Sequence, residues 1–209
     1  MARASDPMST GGLGDTEVRG MYKINDVFTA SLGMSVPTGR VSKKVTSMHA
    51  TFRAPYDMQL SSGTYDLKPA ITYNALSADA KWNWGAQALY TWHTGKNEND
   101  WSYGDALKVN GWLQRAFGPA SGWLRCAGSD TGTIRGKDQK IEDLQAWSSM
   151  PDADPSNYGG TKVDGAVGVS FNLGPASLGL EFGIPLYQDL HGLQMKTSWF
   201  MTAGLQVMF

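Results

Sequence analysis

Cysteine is almost missing from this chain: Cys126 is the only one in 209 residues. A single thiol excludes an internal disulfide and a thiolate metal cluster, and it suits a protein that crosses an oxidising periplasm. Long apolar runs are missing too. No 18 consecutive apolar residues occur, so no membrane-spanning helix can be built, although barrel strands need no such run. The formal net charge is only −1, which removes both the basic field that nucleic acid would require and any acidic tail. Residues 1–12 lack the apolar core of a signal peptide and read as a disordered or remnant amino-terminal segment. Neither a Gly-x-Ser-x-Gly elbow nor a Gly-rich phosphate loop is present. The histidines are His49, His93 and His191 alone. Their spacing gives no reason for them to converge on a metal, and they read as unrelated surface residues. A hydrolase would need a nucleophile paired with His93 or His191. The ten methionines are scattered, and Met34, Met201 and Met208 read as packing rather than copper ligands. The expectation is a protein without catalytic residues, metal or cofactor.

What the chain does have is alternation. In its last stretch, 194–209, Trp199, Met201, Ala203, Leu205, Val207 and Phe209 form one row. Lys196, Ser198, Phe200, Thr202, Gly204, Gln206 and Met208 form the other. A period of two is that of a β-strand with one apolar face. One such strand suits either the half-buried sheet of a soluble sandwich or a membrane barrel closing on a terminal Phe.

Eight further stretches repeat the pattern. Thr16, Val18, Gly20, Tyr22 and Ile24 oppose Glu17, Arg19, Met21 and Lys23; after Asn25-Asp26, Phe28 to Val36 returns as a hairpin. The third stretch sets Tyr65, Leu67, Pro69, Ile71 and Tyr73 against Asp66, Lys68, Thr72 and Asn74, with Pro69 predicting an irregular ladder. The fourth is the most regular: Trp82, Trp84, Ala86, Ala88, Tyr90 and Trp92 oppose Asn83, Gln87 and His93. Ten tilted residues rise about 25 Å, the height of a lipid band between aromatic girdles. Leu107 to Leu113 opposes Lys108, Asn110, Trp112 and Gln114. The sixth stretch, 123–134, has faces that alternation does not assign. Val163 to Leu173 opposes Lys162 and Asp164; Leu178 to Leu186 opposes Glu181, Pro185 and Tyr187. Within 135–160, Ile141, Leu144 and Trp147 at helical spacing predict a short loop helix. Short turns near 25, 79, 119 and 175 alternate with longer segments at 38–63, 95–104, 135–160 and 188–193, the arrangement of periplasmic turns and outer loops.

These patterns predict an all-β, antiparallel, up-and-down transmembrane β-barrel over 13–209. Nine strands is odd, whereas single-chain bacterial barrels have an even number, so an amino-terminally truncated barrel with missing upstream strands is expected. The expected lumen row is Glu17, Arg19, Lys23, Asp66, Lys68, Asn83, Gln87, Lys108, Asn110, Gln114, Lys162, Asp164, Glu181, Lys196 and Gln206. Its mixed charge suits either a polar conduit or an interior plugged by cross-strand ion pairs. Tyr22, Tyr65, Tyr73, Trp82, Trp84, Tyr90, Trp92 and Trp199 form the expected aromatic girdles, and Phe209 the carboxyl-terminal assembly signal.

Three stretches, Pro55-Tyr-Asp-Met-Gln-Leu-Ser-Ser-Gly-Thr-Tyr-Asp66, Trp82-Asn-Trp-Gly-Ala-Gln87 and Glu181-Phe-Gly-Ile-Pro-Leu-Tyr-Gln-Asp-Leu-His-Gly192, resemble an outer-membrane transporter-like family grouped with the phenol meta-pathway degradation proteins. Gly12-Leu-Gly-Asp15 and Val36-Pro-Thr-Gly39 are similar to its strand borders, and the similarity covers about 10–209. In such relatives a further amino-terminal part, often rich in Met, precedes the Gly-Leu-Gly-Asp region. The resemblance implies a bacterial outer-membrane barrel that passively admits small aromatic or hydrophobic solutes. It brings no catalytic residues. The partners expected are the lipid bilayer, the barrel-assembly machinery and the solute, with no nucleic acid. An outer-membrane barrel whose long loops 38–63 and 135–160 bind a partner is the alternative.

Overall fold

The computed structural model describes residues 8–47, 50–148 and 150–208. The strands are, in chain order, β1 (Thr16–Lys23), β2 (Phe28–Val36), β3 (Lys44–Ser47), β4 (Ala50–Arg53), β5 (Tyr65–Leu76) and β6 (Trp82–Thr94). Next come β7 (Trp101–Ser102), β8 (Ala106–Phe117), β9 (Ala120–Thr131) and β10 (Arg135–Gly136). Helix α1 (Gln139–Ser148) precedes β11 (Gly160–Leu173), β12 (Ala176–Leu190) and β13 (Phe200–Val207). Nine of these strands form one antiparallel sheet, ordered β1-β2-β5-β6-β8-β9-β11-β12-β13. Two-stranded ribbons, β3 with β4 and β7 with β10, lie in the loops.

The short turns explain this simple order. Asn25 Oδ1 accepts the Val27 and Phe28 N–H groups at 3.0 and 2.8 Å, an Asx turn that returns the chain into β2. Asp79 does similar work between β5 and β6, accepting from Ser77 and Lys81. The other two turns repeat Gly-Pro-Ala. Gly118 and Gly174 stand at φ 68° and 71°, and the strands close directly as Phe117↔Ala120 and Leu173↔Ala176. A two-residue hairpin with positive φ at its first central position takes Gly there.

Register then carries one face across the whole sheet. Glu17 pairs with Ser35, Ser35 with Asp66, and Asp66 with His93. Gln87 pairs with Asn110, Asn110 with Ala127, and Ala127 with Asp164. Glu181 pairs with Thr202, and Ser177 with Gln206. The opposite face is apolar and uncovered: Val18, Leu32, Ile71, Trp84, Val109, Leu124, Val167, Leu180 and Leu205 are all exposed. Among the buried apolar side chains described, only Ala106 and Ala166 come from the nine-stranded sheet. The two-layer soluble sandwich is therefore not the fold.

Several expectations need correction. The sheet is not closed as a barrel: among the described residues, β1 and β13 each have a single neighbour. Both run from the loop end to the turn end, so joining them directly would make a parallel seam, less stable per residue than an antiparallel one. The last strand is shorter than alternation suggests and begins at Phe200, leaving Lys196 and Trp199 ahead of it. Register shifts between Val163 and Asp164, where Val163 pairs with Tyr187 and Asp164 with Pro185, so Leu186 is the extra residue of a bulge. Tyr187 is thereby moved onto the apolar face, against the simple alternation. The irregularity expected at Pro69 is present, since pairing between β5 and β6 stops at Leu67 and resumes at Ala70. The sixth strand occupies Ala120–Thr131, and its register puts Trp123 and Arg125 on the polar face.

The buried apolar cluster lies in the long loops. Tyr56, Trp101, Ile134, Ile141 and Ala153 pack together, with Tyr103, Met150 and Tyr158 against them. Asp138 caps α1, its Oδ1 accepting from Lys140 N–H at 2.9 Å, while its Oδ2 lies 3.2 Å from Arg53 Nε. The Asp138 N–H donates to the Tyr56 hydroxyl at 3.0 Å. The helix predicted from Ile141, Leu144 and Trp147 is thus present as α1. His49, Phe209 and most of the amino-terminal segment, residues 1–7, lie outside the described residues.

Burial pushes the Tyr56 hydroxyl up to about 12, and Tyr103 and Tyr158 are raised for the same reason. The unfolded chain ionises its tyrosines near 10, so stability of the loop cluster is full below that value and falls as pH rises toward 12. Of the eight tyrosines, these three are expected to ionise last in an absorbance titration at high pH, together with loosening of the loops.

Candidate functional site

The polar face is the one surface that gathers unlike chemistry. At its β1 edge, Arg19 Nη2 and Lys68 Nζ each lie 2.7 Å from the Glu17 carboxylate, on Oε1 and Oε2 respectively. Arg19 also donates to Ser31 Oγ at 3.1 Å. Amide and hydroxyl pairs follow toward the centre: Gln87 donates to Thr72 Oγ1, and Asn83 to Asn74 Oδ1, both at 2.8 Å. Trp112 Nε1 donates to Asn83 Oδ1 at 2.9 Å. Gln114 donates to Ser121, which shares a hydrogen bond with Ser170.

Further along the same face, toward β12, stands a denser cluster. Arg125 donates to Glu181 through Nε at 3.0 Å and through Nη2, a bidentate pair. Trp123 Nε1 donates to the same carboxylate at 2.8 Å, and Arg125 Nη1 reaches Asn110 Oδ1 at 3.4 Å. Register places these groups together, for Trp112 is opposite Arg125, Gln114 opposite Trp123, and Gly168 opposite both Trp123 and Glu181.

Glycine makes room for the rings. A Cβ added to Gly168 would meet Trp123 Cε2 at 2.1 Å, and one added to Gly85 would meet Trp112 Cζ2 at 2.3 Å. Phe200 covers Gly183 in the same way. Each pair is directly cross-strand, so each aromatic ring fills the space above its partner glycine. Beside them runs an open groove of about 610 Å³ that includes Trp112, Trp123, Arg125 and Gln206.

The expected lumen residues fall on this face wherever they lie in the sheet, from Glu17 to Gln206. Lys196 does not, because it precedes β13 in an exposed segment. Lys23 pairs with Asp26 of the turn at 2.8 Å. Among the described residues, Lys108, Lys162 and Asp164 form no ion pair, and register sets Lys108 and Lys162 on either side of Ser129. Asp66 is bound by Ser62 and Thr64 and stands 3.8 Å from His93 Nε2. Asp105, 3.8 Å from the other His93 nitrogen, pairs with Arg135 at 3.1 Å.

His93 is held between carboxylates near the loop end of β6, and His191 lies in the exposed loop after β12. Among the described residues, no group of three His, Cys, Asp or Glu side chains could hold a metal. The aromatic residues border the apolar face instead: Tyr22, Tyr73, Trp82 and Trp84 toward the turns, Tyr65, Tyr90 and Trp92 toward the loops. Trp199, although outside β13, lies on the same face, stacked on Phe182 at 6.1 Å.

Trp123 and Arg125 were not assigned from alternation. Counting outward from the Gly118-Pro119 turn would have found them, since a two-residue hairpin fixes Phe117 opposite Ala120 and every later pair. Compared with known proteins, the chain matches no family model and no curated protein.

A double-mutant cycle on Arg125→Met and Glu181→Gln is expected to give a coupling of about 0.5–3 kcal/mol, as for contacting charges in one network. Gly168→Val should destabilise the fold by about 1–3 kcal/mol through overpacking against Trp123. Both are read from urea midpoints.

Proposed function

We propose that this chain builds the wall of an outer-membrane β-barrel that passively admits small solutes, aromatic or hydrophobic ones included. The observation that carries the reading is the uncovered apolar face, which runs from β1 to β13 and is bordered at both ends by Trp and Tyr. Soluble monomers rarely expose an apolar patch larger than a few hundred Å². Hydrocarbon is the solvent such a face suits, and a polar inner face is its counterpart in barrels. The resemblance to the transporter-like family supports the same reading.

Closure follows from strand direction. Because β1 and β13 run the same way, an all-antiparallel barrel needs an odd number of additional strands between them. The alternative, a barrel whose loops bind a partner, draws support from the loop cluster around Tyr56 and Trp101, since simple connections need no core of their own.

Liposome swelling and single-channel recording on the membrane-inserted barrel test the conduit. Solute flux and discrete current steps are expected; a folded, inserted barrel without either overturns transport and leaves the adhesive reading. Lys108→Glu with Lys162→Glu is expected to move the reversal potential toward cation preference, because these two lysines are unpaired on the polar face.

A further inference from the structure

The apolar face carries one cation within the strands. Continuing the row Leu107, Val109, Leu113 along β8 leads to Arg115 and then Phe117, at the turn end of the sheet. Register sets Trp82 directly opposite Arg115 on β6. The guanidinium carbon lies 5.0 Å from the Trp82 ring centroid and 5.0 Å from that of Phe117. Arg115 is therefore stacked between two aromatic rings that are themselves exposed.

Its charge has only a distant partner in Asp79, whose carboxyl is held low by the Ser77 hydroxyl and the Lys81 N–H and, more weakly, by Arg115. Among the described residues, Arg115 donates no hydrogen bond to the protein and has no carboxylate within ion-pair distance. The neighbouring acid, Asp79, is committed to its own turn: Oδ1 accepts from Ser77 and Lys81 N–H, and Oδ2 lies 3.9 Å from Lys81 Nζ. Lys81 adds a second exposed cation beside the strand end, held there by the Ala116 N–H bond to its carbonyl. At the loop end of the same face the charges are of the opposite sign, Asp130 and Asp189.

We infer that Arg115, with Trp82 and Phe117, binds the phosphate headgroup of an anionic phospholipid in the turn-side leaflet; this rests on the membrane reading above. Stacking fixes the plane of the guanidinium while leaving its N–H edge uncommitted, and that edge matches a phosphate diester in a bidentate fork. Aromatic rings at the interface put the cation at headgroup depth, where an Arg stem can lie along the apolar surface with its charge in the polar zone. With Lys81 offset by Asp79, Arg115 leaves this strand end with a net positive charge, which favours a lipid of net negative charge over a zwitterionic one.

Native mass spectrometry of the folded barrel, released from micelles doped equally with phosphatidylglycerol and phosphatidylcholine, tests the site. The wild type is expected to retain one phosphatidylglycerol in preference to phosphatidylcholine. Arg115→Gln should lower that retention at least about tenfold, the size of one lost charge-assisted contact of 1.4 kcal/mol. Arg115→Lys should retain an intermediate amount, and inorganic phosphate at millimolar concentration should not displace the lipid. Equal retention of the two lipids, or retention unchanged in Arg115→Gln, overturns the site. Displacement by inorganic phosphate overturns the lipid and leaves an anion site. Heat-modifiable migration on gels checks folding separately: a variant that folds but loses the lipid supports the site. A wild type that never inserts into bilayers fails the membrane reading instead.

Discussion

Everything in this protein depends on register being conserved from one strand to the next. Side chains alternate with a period of two, so a slip of one residue anywhere would invert the faces of all strands beyond it. Nine strands keep step, and Glu17 at one edge shares a face with Gln206 at the other. Tight turns are what hold that phase, with Asn25, Asp79, Gly118 and Gly174 each limiting the chain to one return path. The single lapse, at Leu186, sits near the loop end of β12. It affects few residues, and moving Tyr187 outward adds an aromatic ring where the apolar face meets the loops.

Much of this was legible because the signal is local. Alternation in 82–93 or 163–173 reports one face directly, and the strand count, order and turn positions follow from it. Alternation failed where a face holds both kinds of residue. In β9 the polar side carries Ser121, Trp123, Arg125 and Ala127, while the apolar side carries Gly122, Leu124, Cys126 and Gly128. Neither row stands out, although the two-residue turn before it determines the assignment. The β12 bulge is a different case: pairing with β11 creates it, so 178–187 read alone gives the wrong side for Tyr187.

The site was legible as a set of polar positions but not as a set of contacts. Sequence gave Glu181 a place on the inner row; only cross-strand neighbours show that it holds Arg125 and Trp123. The seating of Trp112 and Trp123 also requires knowing that Gly85 and Gly168 lie opposite them. These glycines look like weak points within strands, yet here each provides the space that its aromatic partner fills. Closure lay beyond alternation for a related reason, since an open edge is a property of pairing.

The loop cluster has a mechanical meaning for the sheet beneath it. Arg53 and Tyr56, from the connection between β2 and β5, touch Asp138 and Tyr158, from the connection between β9 and β11. Those connections spring from strands separated by β6 and β8. The contact is thus a strut across a bow: it shortens the span between distant strand tips, and so sets the bend of the ribbon from one end while the turn end has only its hairpins.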